Sequence, residues 1–299
     1  MLRYGALALG VLIVSTAALL IRWAIDAGGH PLSVAAGRLT LAALLIVPFA
    51  WLQRRSELLA LRRADWSVAA LSGALLAVHF ATWIASLAYT SVASSVALVT
   101  TNPVWVGLAA WLILREPPGR NTVVGIALAA LGTAFIILSD LQNAGSASAG
   151  RDPMLGNALA LLGAISISGY LLVGRRLNLK LSLLAYVAIV YGAAAIAMNL
   201  IAWALGHGVQ TLPMVAWLPV LLLALGPQLA GHTLINASLK HLTPTFVALA
   251  ILGEPVGSAI LAWLLLGEAV APLQLIGFAV LLVGIAVAAR GEGRGRVRS

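Results

Sequence analysis

The composition of this 299-residue chain places it in a membrane rather than in water. Its residues are 62% hydrophobic and only 9% charged, with a mean hydropathy of +1.03, whereas a soluble domain is about 25% charged. The 18 Lys and Arg residues outnumber the 9 Asp and Glu residues. In a membrane protein this excess reports orientation, because Lys and Arg collect in cytoplasmic loops, so nucleic acid is not expected as a partner. The chain has no Cys, which excludes disulfides and thiol chemistry.

Ten apolar runs of about 20 residues, each long enough to cross a bilayer, follow one another along the chain. The predicted spans are 4–25, 32–52, 66–88, 94–114, 122–139, 154–174, 182–204, 213–237, 245–266 and 272–289. When the N-terminus is placed in the cytoplasm, 15 of the 18 Lys and Arg residues fall in cytoplasmic segments. The sequence therefore predicts an all-α polytopic membrane protein with ten transmembrane helices and both termini cytoplasmic.

The two halves of the chain resemble each other. Residues 102–132 align without gaps with residues 254–284, at an offset of 152 residues. The informative aligned pairs are Pro103 with Pro255, Trp111 with Trp263, Glu116 with Glu268, Gly125 with Gly277, and Gly132 with Gly284. Each half holds five spans, and an odd number of spans inverts the second half relative to the first, as in many secondary transporters. The predicted organisation is a first five-helix repeat at 1–140, a periplasmic linker at 141–153, an inverted five-helix repeat at 154–290 and a basic cytoplasmic tail at 291–299.

Glu254 is the only carboxylate deep within a predicted span. A charge at the bilayer centre costs at least about 2.5–3.5 kcal/mol, so Glu254 is expected to be protonated or to face a polar interior. Its role is open between bonding to backbone groups disturbed by Pro255 and a function, as partner of a substrate ammonium or carrier of a coupling proton. Pro103 and Pro255 predict bends at equivalent depths, either as ordinary kinks or as hinges beside a cavity. The matched positions of Asn102 and Glu254 favour the hinge.

Polar residues of spans three and eight form a second group of candidates. Gln228, His232 and Asn236 follow at i, i+4 and i+8, which places them on one stripe of an α-helix. His79 falls on His232 at an offset of 153 residues and shares a stripe with Trp83. Both a structural role and a ligand role remain open for these histidines, and we expect them to face one central space.

Two further residues, Trp105 and Tyr170, complete the set of candidates, and a structural role is favoured for Arg38. Trp105 lies three positions after Asn102 on the same helix face, and with Trp83 it is expected to wall a cavity or to contact lipid. Tyr170 lies in span six. Arg38 lies about 9 Å inside span two, at about 1.5 Å per residue, and is expected to be structural, to snorkel outward or to attract anionic groups.

Several chemistries lack their signals in this sequence. It has no phosphate-binding Gly-Lys loop, no metal-binding cluster of His, Cys and carboxylates, and no GxSxG motif. We therefore expect no cofactor, no metal and no enzyme activity. An intramembrane enzyme using His79 or His232 as a base is an alternative of a different class, but it lacks a nucleophile or metal partner at helical spacing. A passive channel, without saturation or counterflow, is a third possibility.

The segments NPVWVGLAAWLILRE, EPVGSAILAWLLLGE, LIGFAVLLVG and AAGRLTLAALLIVPF resemble EamA-type members of the drug/metabolite transporter superfamily. The resemblance spans essentially the whole chain and implies ten helices in two inverted repeats, in the bacterial inner membrane. Within the superfamily, the chain is most similar to the aromatic and neutral amino-acid exporters. The Glu-Pro pair belongs to the whole family, whose members carry different cargo. The resemblance therefore implies that Glu254 is part of a transport mechanism shared by the family and does not select the substrate. Substrate choice would then fall on His79, Trp83, Trp105, Tyr170, His232 and Asn236.

These observations predict a secondary or facilitative transporter that exports neutral or aromatic amino acids by alternating access around a midplane cavity. Its expected partners are a small-molecule substrate and the lipid bilayer, and it is expected to be a monomer or a weak dimer. An exporter of another small metabolite or drug is the alternative. The predicted hinge residues are Pro103 and Pro255, and the predicted substrate-binding residues are His79, Trp83, Asn102, Trp105, Tyr170, Gln228, His232, Asn236 and Glu254.

Overall fold

The computed structural model of this chain describes residues 2–114, 119–142, 150–267 and 270–295. Every regular element within these ranges is a helix. The α-helices are α1 (Leu2–Val14), α2 (Ala17–Asp26), α3 (Pro31–Leu59), α4 (Arg63–Ser86), α5 (Val92–Val99), α6 (Asn102–Leu114), α7 (Arg120–Gln142), α8 (Pro153–Lys180), α9 (Leu183–Ala204), α10 (Trp217–Leu223), α11 (Thr233–Ser238), α12 (Pro244–Ile251), α13 (Glu254–Leu266) and α14 (Pro272–Gly295); two 3-10 turns (Val209–Thr211 and Met214–Ala216) precede α10, and a π-helical segment (Ala224–His232) joins α10 to α11.

Some of the sequence-based expectations fall on parts of the chain that the structure does not describe. Glu116 and Glu268, residues 143–149 of the predicted linker and residues 296–299 of the predicted tail lie outside the described residues. The predicted site and hinge residues are all described.

Seven helical segments in the described part of the chain are long and apolar enough to cross a membrane. They cover Tyr4–Asp26, Pro31–Leu59, Arg63–Ser86, Arg120–Ser139, Pro153–Lys180, Leu183–Ala204 and Met214–Ser238. Shorter apolar helices follow at Glu254–Leu266 and Pro272–Gly284. The protein is therefore a multi-pass helical membrane protein.

The predicted fourth and ninth spans are interrupted rather than continuous. α5 ends at Val99 and α6 begins at Asn102, while α12 ends at Ile251 and α13 begins at Glu254. Every boundary of the α12–α13 pair lies 152 residues after its counterpart in the α5–α6 pair. Proline is tolerated in the first turn of a helix because its missing N–H has no partner there in any case. Glu254 accordingly begins a helix, and at each of the two prolines where the sequence predicts a bend the structure has a break between two helices.

The predicted first and eighth spans are also irregular. α1 and α2 are separated at Ser15 and Thr16, whose hydroxyls donate to the carbonyls of Val11 and Ile13 and so compete with the helical ladder. Span eight is wound as a π-helix over Ala224–His232, a segment that contains a proline. The stripe expected of an α-helix therefore fails between Gln228 and His232, whereas His232 and Asn236 are joined by the α-helical turn of α11.

Glycine allows α7 and α14 to pack backbone against backbone. A Cβ atom on Gly132 would lie 2.6 Å from the carbonyl oxygen of Gly277, and one on Gly284 would lie 2.8 Å from that of Gly125. The residue numbers of the two helices increase in opposite directions, so the helices are antiparallel. Gly284 is the repeat counterpart of Gly132, and Gly277 is the repeat counterpart of Gly125, each 152 residues later. The two contacts are therefore equivalent, as expected for an interface with two-fold symmetry.

Two other helix pairs are antiparallel and join at a charged end of the molecule. α4 packs along α8, from His79 beside Gly163 to the ion pair between Asp65 and Lys180. α3 packs along α9, and near its end the Glu57 carboxylate accepts a 2.9 Å hydrogen bond from the backbone N–H of Ser182. We call this part, defined by Glu57, Asp65, Lys180 and Lys240, the basic end.

The opposite end of the molecule, defined by Arg22, His30, Thr90 and His207, is held by a different set of contacts. Arg22 donates to the carbonyl of Thr90 at 3.2 Å. The imidazole rings of His30 and His207 are stacked with their centroids 3.4 Å apart. Burial, followed by the nearby His207, lowers the pKa of His30 from its ordinary 6.5, which keeps that ring neutral around neutral pH.

The close contact at Gly132 predicts that Gly132→Ala destabilises the protein. The added methyl group would force α7 and α14 apart, and overpacking of this kind costs about 1–3 kcal/mol. We expect a lower Tm for the purified variant in detergent. Gly5→Ala is the matched control, because Gly5 is exposed and has nothing near its Cβ position. Equal Tm values for the two variants would show that the glycine contact is not tight.

Candidate functional site

A small buried cavity lies where the interrupted spans meet α4, α8 and the eighth span. Its volume is about 40 Å³, room for a few water molecules at roughly 10–15 Å³ each. Its lining residues come from both halves of the chain. They are Val14, His79, Trp83, Val99, Thr100, Asn102, Ile167, Tyr170, Leu171, His232, Ile235, Asn236, Ile251 and Glu254.

The structure brings together most, but not all, of the predicted site residues. Those that line the cavity are His79, Trp83, Asn102, Tyr170, His232, Asn236 and Glu254. Pro103 and Pro255 directly follow two of them in the chain. Trp105 does not line the cavity; its indole N–H donates to the Thr101 hydroxyl at 3.3 Å. Gln228 does not line it either, because the π-helical winding turns it away from the stripe expected with His232 and Asn236.

The starts of α6 and α13 both reach the cavity. Asn102, the first residue of α6, is 1% exposed, and its side-chain oxygen has no hydrogen-bond partner among the described residues. Glu254, the first residue of α13, is 7% exposed. The N-terminus of a helix carries a partial positive charge, which stabilises a carboxylate placed there. A carboxyl group thus stands at the start of α13, whereas an amide stands at the corresponding start of α6.

Two serines lie against the interruptions. The Ser168 hydroxyl lies 3.2 Å from the carbonyl of Asn102, and the Ser15 hydroxyl lies 3.5 Å from the carbonyl of Glu254. Each hydroxyl also donates at shorter range within its own span, to Ala164 at 2.7 Å and to Val11 at 2.9 Å. Ser15 and Ser168 are related by the 153-residue offset, so equivalent serines serve equivalent breaks. The Ser258 hydroxyl adds a bond from α13 to the carbonyl of Ser15 at 3.0 Å. Sequence inspection assigns such serines to helix packing, although their repeat spacing is a signal of this role.

His79 and Trp83 form a flat wall of the cavity. Their rings are stacked with centroids 5.7 Å apart and an interplanar angle of 19°. The Nδ1 atom of His79 lies 3.0 Å from the carbonyl of Gly163, so Nδ1 must carry the proton that it donates. This bond orients the ring and leaves Nε2 as an acceptor. The indole nitrogen of Trp83 has no acceptor among the described residues.

Asn236 organises the tyrosines on the other side of the cavity. Its side-chain oxygen accepts a 2.8 Å hydrogen bond from the Tyr170 hydroxyl, and its amide donates to the Tyr191 hydroxyl at 3.3 Å. Its backbone carbonyl accepts from Asn178 at 2.8 Å. The polar groups of Asn236 are thus engaged within the protein, and the residue sets the position of Tyr170.

Arg38 of α3 is completely buried, which excludes the alternative that it snorkels outward. Its Nε atom donates to the side-chain oxygen of Gln228 at 3.0 Å. Its guanidinium carbon lies 4.0 Å from the centre of the Phe80 ring. We call the hydrogen-bonded pair the Arg38–Gln228 unit. It was missed as part of a site because span position alone does not show which way a side chain of α3 faces.

Comparison with known proteins agrees with this architecture. The sequence pattern of the EamA-like transporter family matches residues 2–138 and again residues 154–290. The chain belongs to the EamA-like transporter family. It is 22% identical over 265 residues to the "Uncharacterized transporter YwfM" of Bacillus subtilis (strain 168), covering 86% of this chain and 83% of that protein. A solved crystal structure of a protein with 22% identity superposes with a TM-score of 0.68 over 97% of this chain and 96% of the other, which shows a shared fold.

Membership of this family identifies the protein as a membrane transporter of the drug/metabolite superfamily. A small-molecule substrate and a lipid bilayer follow from that membership. It also supports transport over the intramembrane-enzyme alternative at His79 or His232. Among the described residues, no group of three or more His, Asp or Glu side chains is placed to hold a metal ion.

The tyrosine network predicts that Asn236→Leu destabilises the protein. The substitution leaves the buried Tyr170 hydroxyl without its acceptor, at a cost of about 1–3 kcal/mol. Tyr170→Phe removes that hydroxyl, so the double variant should lose less stability than the two single variants together. Thermal unfolding of all four proteins in detergent measures this coupling. Strictly additive losses would contradict the bond between the two side chains.

Proposed function

We propose that this protein is a secondary or facilitative transporter that exports neutral or aromatic amino acids across the bacterial inner membrane. The observation that carries the proposal is the convergence on one buried cavity of two half-helix N-termini, the Glu254 carboxylate and an aromatic wall. Secondary transporters commonly bind their substrates beside interrupted helices near the bilayer midplane.

The proposed architecture consists of ten spans in two inverted five-helix repeats, with both termini in the cytoplasm. The repeats are assigned to residues 1–140 and 154–290, with a periplasmic linker and a basic cytoplasmic tail beyond them. Support comes from the 152-residue correspondence of the interrupted helices and from the antiparallel packing of α7 on α14. In this arrangement the basic end is cytoplasmic and the opposite end is periplasmic, in line with the excess of Lys and Arg.

The chemistry of the cavity favours a zwitterion with an apolar side chain. The Glu254 carboxylate would attract a substrate ammonium group. The stacked rings of His79 and Trp83 offer a flat face to an aromatic or branched side chain, and Tyr170 and His232 add polar edges. Cargo with several phosphate groups would need clustered cations, and the lining residues include none.

The proposed mechanism is alternating access. The 40 Å³ cavity is much smaller than the roughly 300–1,000 Å³ of most ligand pockets, so substrate entry requires the spans to move. The breaks before Pro103 and Pro255 supply hinges at equivalent positions. Opening towards the cytoplasm would separate contacts such as Asp65 with Lys180, whereas opening towards the periplasm would separate contacts such as His30 with His207.

Proteoliposomes containing the purified protein test this function directly. We expect saturable uptake of labelled neutral or aromatic amino acids, accelerated by unlabelled substrate inside, because a carrier exchanges its cargo whereas a passive channel does not. Trp83→Leu should reduce this flux about tenfold or more through loss of the aromatic wall. Trp203→Leu is the matched control, since that indole is 74% exposed on the surface. Absence of saturable flux for every amino acid would exclude this substrate class, and uptake of another metabolite would support the alternative cargo.

The absence of natural cysteine makes the proposed orientation testable with single cysteines. Ala64→Cys introduces a thiol at the basic end, and Gln210→Cys introduces one at the opposite end; both positions are exposed. In intact bacterial cells, a membrane-impermeant maleimide should label only the cysteine at 210. Solubilised protein should react at both positions, which controls for thiol reactivity. Labelling of both or neither in intact cells would contradict the orientation.

A further inference from the structure

The buried guanidinium of Arg38 lacks acceptors for most of its donors. Nε bonds to Gln228, but neither terminal nitrogen of the guanidinium has a hydrogen-bond partner among the described residues. The side-chain nitrogen of Gln228 also has none. Three nitrogen donors of the Arg38–Gln228 unit are therefore unused in the interior of the protein. Buried polar groups are nearly always hydrogen-bonded, so this clustering of free donors indicates a site for an acceptor.

The charge of Arg38 is also without an ion-pair partner in the described part of the chain. Glu254 is close enough to interact electrostatically with it but forms no direct salt bridge. Removing a cation from water costs several kcal/mol unless an anion and hydrogen bonds compensate. The face of the Phe80 ring gives a cation–π contact and Gln228 accepts one hydrogen bond, and these two contacts compensate only part of that cost. An anion that visits the site would provide the missing compensation.

Phe80 lies between the Arg38–Gln228 unit and the cavity. Its fully buried ring packs on the guanidinium at 4.0 Å. It also makes an edge contact with His232, at a centroid distance of 5.5 Å, and a tilted contact with Trp83, at 6.3 Å. Both of those residues line the cavity, but Phe80 and Arg38 do not. A rotation of the Phe80 ring would join the guanidinium to the cavity and enlarge a space that is too small for an amino acid.

We propose that Arg38 binds the carboxylate of the substrate in the enlarged cavity, with Gln228 orienting the guanidinium and Phe80 covering it when no substrate is bound. This inference rests on the proposed amino-acid transport and names a specificity-determining residue for it. The two terminal nitrogens of a guanidinium match the two oxygens of a carboxylate in a bidentate pair. Glu254 takes the ammonium group, so the two charges of a zwitterion meet opposite charges. The proposal excludes simple amines as good substrates, because they leave Arg38 without an anion.

Binding of matched ligands to the purified full-length protein tests the assignment. The ligands are phenylalanine, 3-phenylpropionate, which lacks the ammonium group, and phenethylamine, which lacks the carboxylate. Arg38→Met keeps the length of the side chain and removes its charge. We expect this variant to bind phenylalanine and 3-phenylpropionate about ten- to a hundredfold more weakly, the range given by hydrogen bonds to charged groups. Its affinity for phenethylamine should not fall.

Other variants separate ligand binding from a structural role. Glu254→Gln should show the reverse pattern, with weaker binding of phenethylamine and phenylalanine than of 3-phenylpropionate. Arg38→Lys should restore part of the carboxylate binding, since it keeps the charge but not the bidentate geometry. Arg151→Met is the matched control for loss of an arginine, because Arg151 is exposed and packs on Tyr89 at 4.8 Å. If Arg38→Met does not fold, Arg38→Lys and Gln228→Leu provide the same comparison.

The possible outcomes separate this inference from the proposed function. If Arg38→Met weakens the acid and the amine equally, the inference is overturned while amino-acid transport stands. If the wild type binds 3-phenylpropionate through Arg38 but neither binds nor carries any amino acid, the anion site stands and the proposed cargo is wrong. Failure of the wild type to bind either carboxylate would overturn the inference, whereas absence of saturable flux for every amino acid would overturn the proposed function.

Discussion

A polypeptide inside a bilayer must satisfy its backbone hydrogen bonds within the protein, because hydrocarbon offers no partners. Interrupting two spans at the centre of the molecule conflicts with that requirement, because each break leaves backbone groups without helical partners. Other parts of the structure supply contacts at the two breaks. At the first break, the hydroxyls of Thr100 and Thr101 donate to carbonyls in the last turn of α5, at 2.7 Å each. Ser15 and Ser168 reach the carbonyls of Glu254 and Asn102 from neighbouring spans. The breaks are thus stabilised by side chains, and the polar cavity forms beside them.

The same offset that relates the two breaks also relates their supports. Equivalent serines serve equivalent carbonyls, and the glycine contacts between α7 and α14 exchange with one another. The symmetry ends at the chemistry of the cavity, because Asn102 occupies the place in one half that Glu254 occupies in the other. A carboxylate balances one half-helix N-terminus only. This asymmetry makes the centre of the molecule electrically uneven, as recognition of a zwitterion would require.

The polar residues around the cavity divide into those that support and those that remain available. Asn236 and the Nδ1 atom of His79 are committed to partners within the protein. The side-chain oxygen of Asn102, the indole nitrogen of Trp83 and the terminal nitrogens of Arg38 are not committed to any described residue. Groups of the second kind lie on several different spans. A ligand that bonds to them would link those spans, which gives a physical basis for coupling substrate binding to movement.

The sequence by itself determined the class of the protein, the repeat that relates its two halves and seven of the fourteen residues that line the cavity. Hydropathy, the charge of the loops and the matched prolines are local or periodic properties, so they can be recognised in the sequence without knowledge of the fold. The tertiary structure alone decided that Gln228 leaves the stripe of His232 and Asn236, because a π-helical segment changes the angle between successive residues. It also decided that Trp105 lies away from the cavity and that Arg38 faces inward. The direction of a side chain depends on the helices packed around it, and in a chain that is apolar throughout, composition does not distinguish the face towards lipid from the face towards the interior.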